Sequence, residues 1–298
     1  MSMITRIIRA LRLPFISASV LPFVFGSLIK RQGFNLKGFL LGAIAVIAAH
    51  LSANLINDYA DSKSGADWQD KNFYGFFGGS KLIQERVFSE GSYLKGAIFF
   101  VAISGLCIIL LAINLKSLSP LVYYSVIIFL SWSYSQKPLQ LSYHKLGELM
   151  IFLLFGPVPV MGGYFIQTGV FPNLESFCLS LPFGFLTCAI LYANEVPDYN
   201  DDLQVGKLTW VSLLGSSGAF LLYYLLMAFA FLSVLLDIAL GYLTPYALFA
   251  LIFIIPALKA AGIIKKHPDD KARLIESSKL TIAVQAFVSI VLIIAVML

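Results

Sequence analysis

Charged residues are scarce in this 298-residue chain, where Asp, Glu, Lys and Arg together make up only 12% of the sequence. Soluble domains carry about twice that share, roughly a quarter. Hydrophobic residues make up 59% of the chain. This balance excludes a soluble globular domain of this length and predicts a protein that crosses the membrane several times.

Cysteine and histidine are also rare, with three residues of each. Cys107, Cys178 and Cys188 fall in apolar segments without metal-ligand spacing, so we expect them to be packing residues and predict no disulfide framework. The net charge of +5 is spread over several loops rather than concentrated on one face, so it does not predict nucleic-acid binding. No cleavable signal peptide is evident, and we expect residues 1–12, which are basic and amphipathic, to lie along the membrane interface.

Long apolar runs are present instead, and each is about the length needed to span a bilayer. Because lipid offers no partner to unpaired backbone groups, and the runs are too long for barrel strands, we predict an all-α membrane protein with about nine transmembrane helices around one central cavity. The predicted spans are residues 13–31, 36–57, 93–114, 118–135, 146–168, 174–195, 211–236, 242–264 and 279–298.

The distribution of basic residues predicts the orientation of these spans. With a cytoplasmic N-terminus, only Lys30, Arg31, Lys37 and Lys116 lie on the far side, which leaves 17 of the 21 lysines and arginines on the cytoplasmic side. Basic loops are retained in the cytoplasm. The polar ends of the second and sixth spans should therefore face the cytoplasm.

The second span ends in an acidic and amide-rich stretch, residues 54–67. Asn54, Asp58 and Asp61 follow one another at helical spacing, so a helix that continues through them places all three on one face. Asn57 and Asp67 lie close by in sequence. Polar groups at the end of a membrane span are costly, and their clustering indicates a cation site.

A second copy of this pattern occurs in the later half of the chain, at the end of the sixth predicted span. The offset between the two copies is 140 residues at each position, which pairs Asn54 with Asn194, Asp58 with Asp198 and Asp61 with Asp201. Asp202 follows directly. The repeat predicts a duplicated helical unit, roughly 13–140 and 146–298, within a single domain over residues 1–298.

Basic residues near the two acidic motifs indicate that the ligand is anionic as well as metal-bound. Facing carboxylates suit Mg²⁺, which commonly completes its shell with phosphate oxygens. The lysines and arginines near the two motifs are then explained if the ligand is a negatively charged diphosphate. An adjoining apolar cavity would suit a hydrocarbon tail on that ligand. The predicted diphosphate-binding residues are Lys63, Lys81, Arg86, Lys137 and Lys207.

Two further features stay open at this point. The glycine-rich run at residues 75–81 exposes backbone amides that could receive phosphate oxygens, but it also fits an ordinary turn. Glu148, at the start of a predicted helix, either complements the helix dipole or belongs to the cavity.

The two motifs, together with the run from Leu146 to Val158, resemble the UbiA superfamily of intramembrane aromatic prenyltransferases over nearly the whole chain. The first motif and that run are most similar to the branch that prenylates 1,4-dihydroxy-2-naphthoate in menaquinone synthesis. The resemblance implies a nine-helix bundle, Mg²⁺ held by two Asp-rich motifs, and transfer of a polyprenyl chain from its diphosphate to an aromatic ring. It also implies a prokaryotic inner-membrane enzyme with its active site facing the cytoplasm. Glu195 stands where naphthoate enzymes often have asparagine, which leaves the acceptor open.

The site residues that this resemblance and the two motifs indicate form three groups, in addition to the diphosphate-binding residues. Asp58, Asp61, Asp198 and Asp202 are the expected catalytic metal ligands. Further contributors to the metal site are Asp67, Asp201, Asn54, Asn57 and Asn194. The expected substrate-binding residues are Tyr134, Tyr143, Glu148, Tyr192 and Tyr199.

Two other functions remain alternatives. An intramembrane terpene cyclase would use the same diphosphate site without an acceptor. An ion-coupled transporter would place acidic residues along an ion path, although its ion site would be expected near the middle of the membrane.

Overall fold

The protein is a bundle of twelve helices in the computed structural model, which describes residues 2–30, 33–68, 70 and 72–298. Arg31, one of the basic residues used to predict orientation, lies outside the described residues. The helices are α1 Met3–Ala10, α2 Ser17–Leu28, α3 Leu36–Ser64, α4 Glu90–Leu115, α5 Ser119–Ser135, α6 Gly147–Phe155, α7 Pro157–Thr168, α8 Leu174–Cys178, α9 Leu181–Gln204, α10 Val211–Ala239, α11 Ile254–Lys266 and α12 Lys271–Met297. A 3₁₀ segment, Pro245–Phe253, leads into α11.

The all-helical architecture confirms the predicted fold class, and the protein is an integral membrane protein. Within the described ranges, seven helical segments are long and apolar enough to cross a membrane. An eighth is added if Met3–Ala10 and Leu13–Leu28, which meet at a 46° bend, form one span. The predicted count of nine is not confirmed, because α5 has only 17 residues and is shorter than the seven spanning segments.

Small residues let the helices pack closely at two crossings. A side-chain carbon on Gly26 of α2 would lie 2.0 Å from the Val160 carbonyl oxygen of α7. At the junction of α6 and α7, one on Gly156 would lie 2.6 Å from the Cα of Gly184 in α9. Such small-residue contacts are typical of helices that pack within a membrane.

The span predicted at residues 146–168 is broken at Gly156, which directly precedes Pro157. Gly156 leaves the helical conformation (φ −104°, ψ −88°), α6 ends at Phe155, and α7 begins at Pro157. Proline at the first position of a helix has no amide hydrogen to leave unsatisfied. The break places Phe155 in the wall of the central cavity.

The two acidic motifs end two long helices in the same way. α3 continues to Ser64 and is followed by Gly65 in the left-handed conformation. α9 continues to Gln204, and Gly206 adopts the left-handed conformation shortly afterwards. The two helix ends are separated along the chain by the same offset as the two motifs. Both motifs are therefore helical, as the spacing predicted.

Candidate active site

Both acidic motifs open into one cavity of about 320 Å³. Asn54, Asn57 and Asp61 reach it from α3, and Asn194, Asp198 and Asp202 reach it from α9. Two motifs that are far apart in sequence thus lie at the same end of the bundle and share one chamber. This arrangement is the one that the repeat and the basic residues predicted.

Asp58 lies just behind the cavity wall and is almost completely buried, with 2% of its surface exposed. Arg12, from the bend between α1 and α2, forms an ion pair with Asp58 Oδ1. The other carboxylate oxygen accepts a 3.2 Å hydrogen bond from the Ser80 backbone amide. Arg12 and Ser80 therefore supply the hydrogen-bond partners that a buried carboxylate needs.

Asp198 is bound by the same loop that binds Asp58. The Gly78 amide donates a 2.9 Å hydrogen bond to Asp198 Oδ2. Gly78 has φ +70°, a conformation that residues other than glycine adopt at a cost. The glycine-rich run is therefore more than an ordinary turn, since its backbone amides contact an aspartate from each motif.

The buried Lys81 and the half-buried Lys207 neutralise further carboxylates at this end of the cavity. Lys81 lies 3.2 Å from Asp67, and Lys207 lies 3.3 Å from Asp202. Burial raises the pKa of Asp67 to about 7, and the Asp61 carboxylate adds to this rise. Burial acts to lower the pKa of Lys207, but the nearby Asp202 and Asp61 carboxylates outweigh it and hold that pKa well above its ordinary value. Lys207 is therefore charged in the site.

A third lysine joins three separate parts of the chain. Lys271, at the start of α12, lies 2.7 Å from Asp70 in the loop after α3 and 2.7 Å from Asp201 in α9. All three residues line the cavity. The loop that carries Gly78 and Ser80 is thereby attached to the second motif and to the last helix.

The remainder of the cavity is mostly apolar. Side chains from α2 to α7 and from α9 form this part, and they include Phe23, Ile108, Leu154, Phe165 and Ile190. The cavity thus has a charged end, where the motifs meet, and an apolar end within the helical bundle. A ligand with an anionic head and a hydrocarbon tail matches both ends.

The structure brings most of the predicted metal ligands to the charged end of the cavity. The lining includes Asn54, Asn57, Asp61, Asp67, Asn194, Asp198, Asp201 and Asp202, and Asp58 lies directly behind it. Of the predicted diphosphate-binding residues, Lys81 and Lys207 line the cavity. Tyr134 is the predicted aromatic residue that does so.

Three predicted cations lie elsewhere, which corrects the sequence expectation. Lys63 is largely exposed and pairs with Glu90 at 2.6 Å. Arg86 and Lys137 are exposed and outside the cavity lining. Each lies in or next to a connecting loop, where sequence proximity to a motif does not determine the direction of a side chain.

Four of the predicted substrate-binding residues are also outside the lining. Tyr192 is fully buried in the core, and Tyr199 packs against the same core. Tyr143 donates a 2.6 Å hydrogen bond to Ser64 and lies 3.5 Å from Asp61, so it supports the first motif from behind. Glu148, fully buried, accepts a hydrogen bond from the Trp210 amide and connects α6 to the start of α10.

Sequence reasoning missed several residues that the structure places at the site. Three of them are Arg12, Asp70 and Lys271. Arg12 belongs to the segment that was predicted to lie along the membrane interface, and Asp70 and Lys271 belong to loops between predicted spans. His50, one of the rare histidines, also lines the cavity. Its place in an apolar span was a signal that could have identified it, because a polar side chain there is costly.

The donor set fits a hard cation such as Mg²⁺, which prefers carboxylate and amide oxygens. Asp202 Oδ2 and Asn194 Oδ1 are buried, and neither has a hydrogen-bond partner within the described part of the chain. No three Asp, Glu, His or Cys side chains among the described residues form a complete metal site on their own. The oxygens of a diphosphate would supply the ligands that the protein does not.

The comparisons with known proteins indicate one family for this chain. Residues 19–283 match the UbiA prenyltransferase family. The UbiA prenyltransferase domain-containing protein 1 of Mus musculus is 30% identical over 225 residues, which cover 72% of this chain and 62% of the relative. The 1,4-dihydroxy-2-naphthoate octaprenyltransferase of Mycobacterium tuberculosis is 28% identical over 226 residues, which cover 76% and 74%. The chain therefore spans less than two thirds of the length of the mammalian relative.

Solved structures share the fold. A UbiA homologue from Aeropyrum pernix K1 superposes with a TM-score of 0.72 at 17% identity, covering 95% of this chain and 98% of that one. A UbiA homologue from Archaeoglobus fulgidus bound to DMAPP and Mg²⁺ superposes with a TM-score of 0.58 at 15% identity, with coverages of 95% and 98%. The family match covers most of the sequence, and these structures share its helical architecture. The chain belongs to the UbiA prenyltransferase family, whose members are transferases.

Proposed function

We propose that this prenyltransferase moves a polyprenyl group from an isoprenyl diphosphate to an aromatic acceptor in a Mg²⁺-dependent reaction, with 1,4-dihydroxy-2-naphthoate as the favoured acceptor. One observation carries the proposal. A single loop donates backbone hydrogen bonds to Asp58 and to Asp198 at the charged end of a cavity whose other end is apolar. This arrangement suits a diphosphate with a hydrocarbon tail.

The charged end would hold the diphosphate together with its metal. The proposed metal-binding residues are Asp58, Asp61, Asp198 and Asp202, with Asp67, Asp201, Asn54, Asn57 and Asn194 as additional oxygen donors. When bound, Mg²⁺ would supply positive charge that stabilises the departing diphosphate. Among the described residues, the buried or half-buried cations next to the first-motif and second-motif aspartates are Arg12, Lys81, Lys207 and Lys271. They would contribute to the same stabilisation.

The apolar end would bind the prenyl chain and protect the reaction from water. Departure of the diphosphate with the electron pair of the C–O bond leaves an allylic cation, which water would destroy. Tyr134 lines the cavity, and its ring face could stabilise that cation. The electron-rich acceptor ring then attacks the allylic carbon and forms the new C–C bond.

Naphthoate is the favoured acceptor for two reasons. The sequence resembles the naphthoate branch in the first motif and in the run from Leu146 to Val158, and a relative at 28% identity is named as a 1,4-dihydroxy-2-naphthoate octaprenyltransferase. On this proposal the acceptor loses its carboxylate as the ring is substituted. Glu195 lines the cavity beside Asn194 and distinguishes this chain from that branch.

We further propose that residues 1–298 form one domain whose two halves share a repeated unit, and that the charged end of the cavity faces the cytoplasm. The repeat is supported by the common offset that relates the second motif to the first and the end of α9 to the end of α3. The bias of basic residues supports the orientation. A prokaryotic inner membrane stays a prediction.

The decisive experiment uses the purified protein in detergent or in liposomes. It would be incubated with Mg²⁺, a polyprenyl diphosphate and a panel of aromatic acids and phenols, and the products would be identified by mass. We expect a prenylated aromatic product, lost with EDTA and restored by Mg²⁺. Diphosphate release with a cyclic hydrocarbon would instead identify a terpene cyclase, and solute flux without prenyl turnover would identify a transporter.

A further inference from the structure

His50 is a buried histidine whose ring is held inside the cavity wall. It lies on α3 about one turn before Asn54, the first residue of the first motif, and only 6% of its surface is exposed. Its Nδ1 atom is 2.9 Å from Ser19 Oγ of α2, and its ring packs edge-on against Phe155 at 5.5 Å. The other ring nitrogen, Nε2, is buried and has no hydrogen-bond partner among the described residues. A polar atom in this position costs free energy unless a ligand satisfies it.

Ser19 contacts both His50 and a backbone carbonyl, and this pair of contacts is compatible with a proton on His50 Nδ1. The Ser19 hydroxyl donates its single hydrogen to the Ile16 carbonyl oxygen at 3.2 Å. In the tautomer that this donation favours, the Ser19 hydroxyl accepts the hydrogen bond from His50, Nδ1 carries the proton and Nε2 presents a lone pair. His50 thus offers the cavity a neutral hydrogen-bond acceptor.

A second polar atom without a partner lies in the same cavity wall. Thr187 of α9 is 5% exposed and lines the cavity, and its Oγ1 has no hydrogen-bond partner within the described ranges. Phe155 contacts His50 and directly precedes Gly156. Gly156 packs against Gly184 of α9, and Gly184 precedes Thr187 by less than one helical turn. His50 and Thr187 are therefore at a similar depth in the bundle.

Both residues lie deeper than the charged end of the cavity. His50 precedes Asp58 by eight residues on α3, which is about 12 Å at a helical rise of about 1.5 Å per residue. Thr187 precedes Asp198 by eleven residues on α9, which is about 16 Å. Because both helices end at the charged mouth, these two polar atoms lie beyond the diphosphate position, on the side where a ring would meet the allylic carbon.

We propose that His50 Nε2 accepts a hydrogen bond from a hydroxyl group of the aromatic acceptor, with Thr187 as its neighbouring polar contact, so that the site selects a phenol or hydroquinone. This inference rests on the proposed function. A comparison of the hydrogen-bonding groups of the ligands in that reaction supports it. A prenyl chain has no hydrogen-bond donor, and an ionised diphosphate offers acceptors at the opposite end of the cavity. Only the acceptor brings an O–H group to a lone pair in the apolar wall.

The hydrogen bond would also assist the chemistry. A hydroxyl that donates to a neutral imidazole has more electron density on its oxygen, and this density passes into the ring that attacks the allylic carbon. The same contact fixes the orientation of the ring relative to the charged mouth. His50 would therefore affect both the binding of the acceptor and the rate of transfer, without contacting the diphosphate.

Two substitutions at position 50 separate this role from a packing role. His50→Asn keeps a donor near the Nδ1 position for Ser19 but has no acceptor at the Nε2 position. His50→Gln can place its amide oxygen near the Nε2 position. We expect His50→Asn to lower kcat/KM for the phenolic acceptor by about tenfold, the order expected when a buried hydrogen bond is lost, and His50→Gln to recover much of that loss. The KM for the prenyl diphosphate should change little in either variant.

A pair of acceptors makes the test independent of folding. The wild type and His50→Asn would be compared on a hydroxylated acceptor and on its methyl ether, which keeps the ring but removes the O–H donor. We expect the effect of His50→Asn to disappear with the ether. Thr187→Val, which replaces a hydroxyl by a methyl group, should reduce kcat/KM for the hydroxylated acceptor by less than His50→Asn does.

Other outcomes would overturn the inference. Equal losses in His50→Asn and His50→Gln, or the same loss with the hydroxylated acceptor and the ether, would mean that His50 acts only through packing. If the wild type instead prenylates no aromatic compound in the panel, the proposed function fails. That result is distinguishable, because it appears before any variant is compared.

Discussion

The backbone amide of Gly78 donates a 2.9 Å hydrogen bond to Asp198 Oδ2, 120 residues later in the chain. Two residues after Gly78, the Ser80 amide donates to Asp58 of the first motif. One short loop therefore connects the aspartates of both motifs. Backbone amides of this kind also bind phosphate oxygens.

Asp198→Asn should reduce prenyl transfer at least a hundredfold. The substitution keeps the size of the side chain but removes a carboxylate charge next to the proposed metal site, and metal ligands are sensitive to such changes. The measurement is product formation with a saturating prenyl diphosphate and acceptor over a range of Mg²⁺ concentrations.

Asp237→Asn is the matched control for this variant. Asp237 is also a buried aspartate in a spanning helix, with 1% of its surface exposed, but it is outside the cavity lining. We expect Asp237→Asn to retain transfer. Loss of activity in both variants, or in neither, would contradict the assignment of Asp198 to the site.

Arg12→Gln should lower kcat/KM for the prenyl diphosphate by about ten- to a hundredfold. The substitution leaves the buried Asp58 without its ion-pair partner, and loss of one partner from such a pair is costly. The measurement is steady-state kinetics with each substrate varied in turn. Arg6→Gln in α1, outside the cavity lining, is the control and should behave like the wild type. Equal effects of the two variants would indicate a general electrostatic effect of the N-terminal segment.

Stretches of the sequence whose residues repeat at helical spacing predicted the structure well, because local hydrogen bonds alone determine that spacing. Asn54, Asp58 and Asp61 follow a helical repeat, and local hydrogen bonding is sufficient to continue α3 through them. The length and apolar character of the runs predicted an all-helical membrane protein for the same kind of reason. The repeat then indicated that two such helix ends share one chamber.

Contacts between distant segments were not predictable in this way. Arg12 reaches Asp58 from well before the first motif, and Lys271 reaches Asp201 from well after the second. No local pattern relates such residues to their partners. Their positions depend on the packing of the whole bundle.

Lys271→Ala should loosen the loop that follows α3. Lys271 is 2.7 Å from both Asp70 and Asp201, so its removal leaves two carboxylates close to the site without their shared cation. We expect faster hydrogen exchange of the amides of residues 72–78 and a several-fold higher KM for the prenyl diphosphate. Exchange measured by mass spectrometry would test the first expectation, and steady-state kinetics would test the second.

Lys259→Ala is the control for the Lys271 variant. Lys259 forms an ion pair with Glu276 at 2.7 Å, but both residues are exposed and lie outside the cavity lining. Exposed ion pairs contribute little to stability. Loop exchange should therefore be unchanged in Lys259→Ala. If it increased equally in both variants, Lys271 would have no special part in holding the loop.

Gly79→Ala should disrupt the site through a steric clash, and Gly75→Ala separates this effect from backbone strain. Both glycines have a positive φ, +75° and +92°, so each alanine costs about 1–2 kcal/mol from conformation alone. The added carbon at position 79 would lie 2.4 Å from Asp67 Oδ2, whereas nothing lies within 4 Å of the one at position 75. Asp67, the backbone of the loop, or both must therefore move in Gly79→Ala. We expect transfer to fall at least tenfold in Gly79→Ala and much less in Gly75→Ala, with similar thermal stability of the two purified proteins. Equal losses of activity would show that loop strain, and not the contact with Asp67, is responsible.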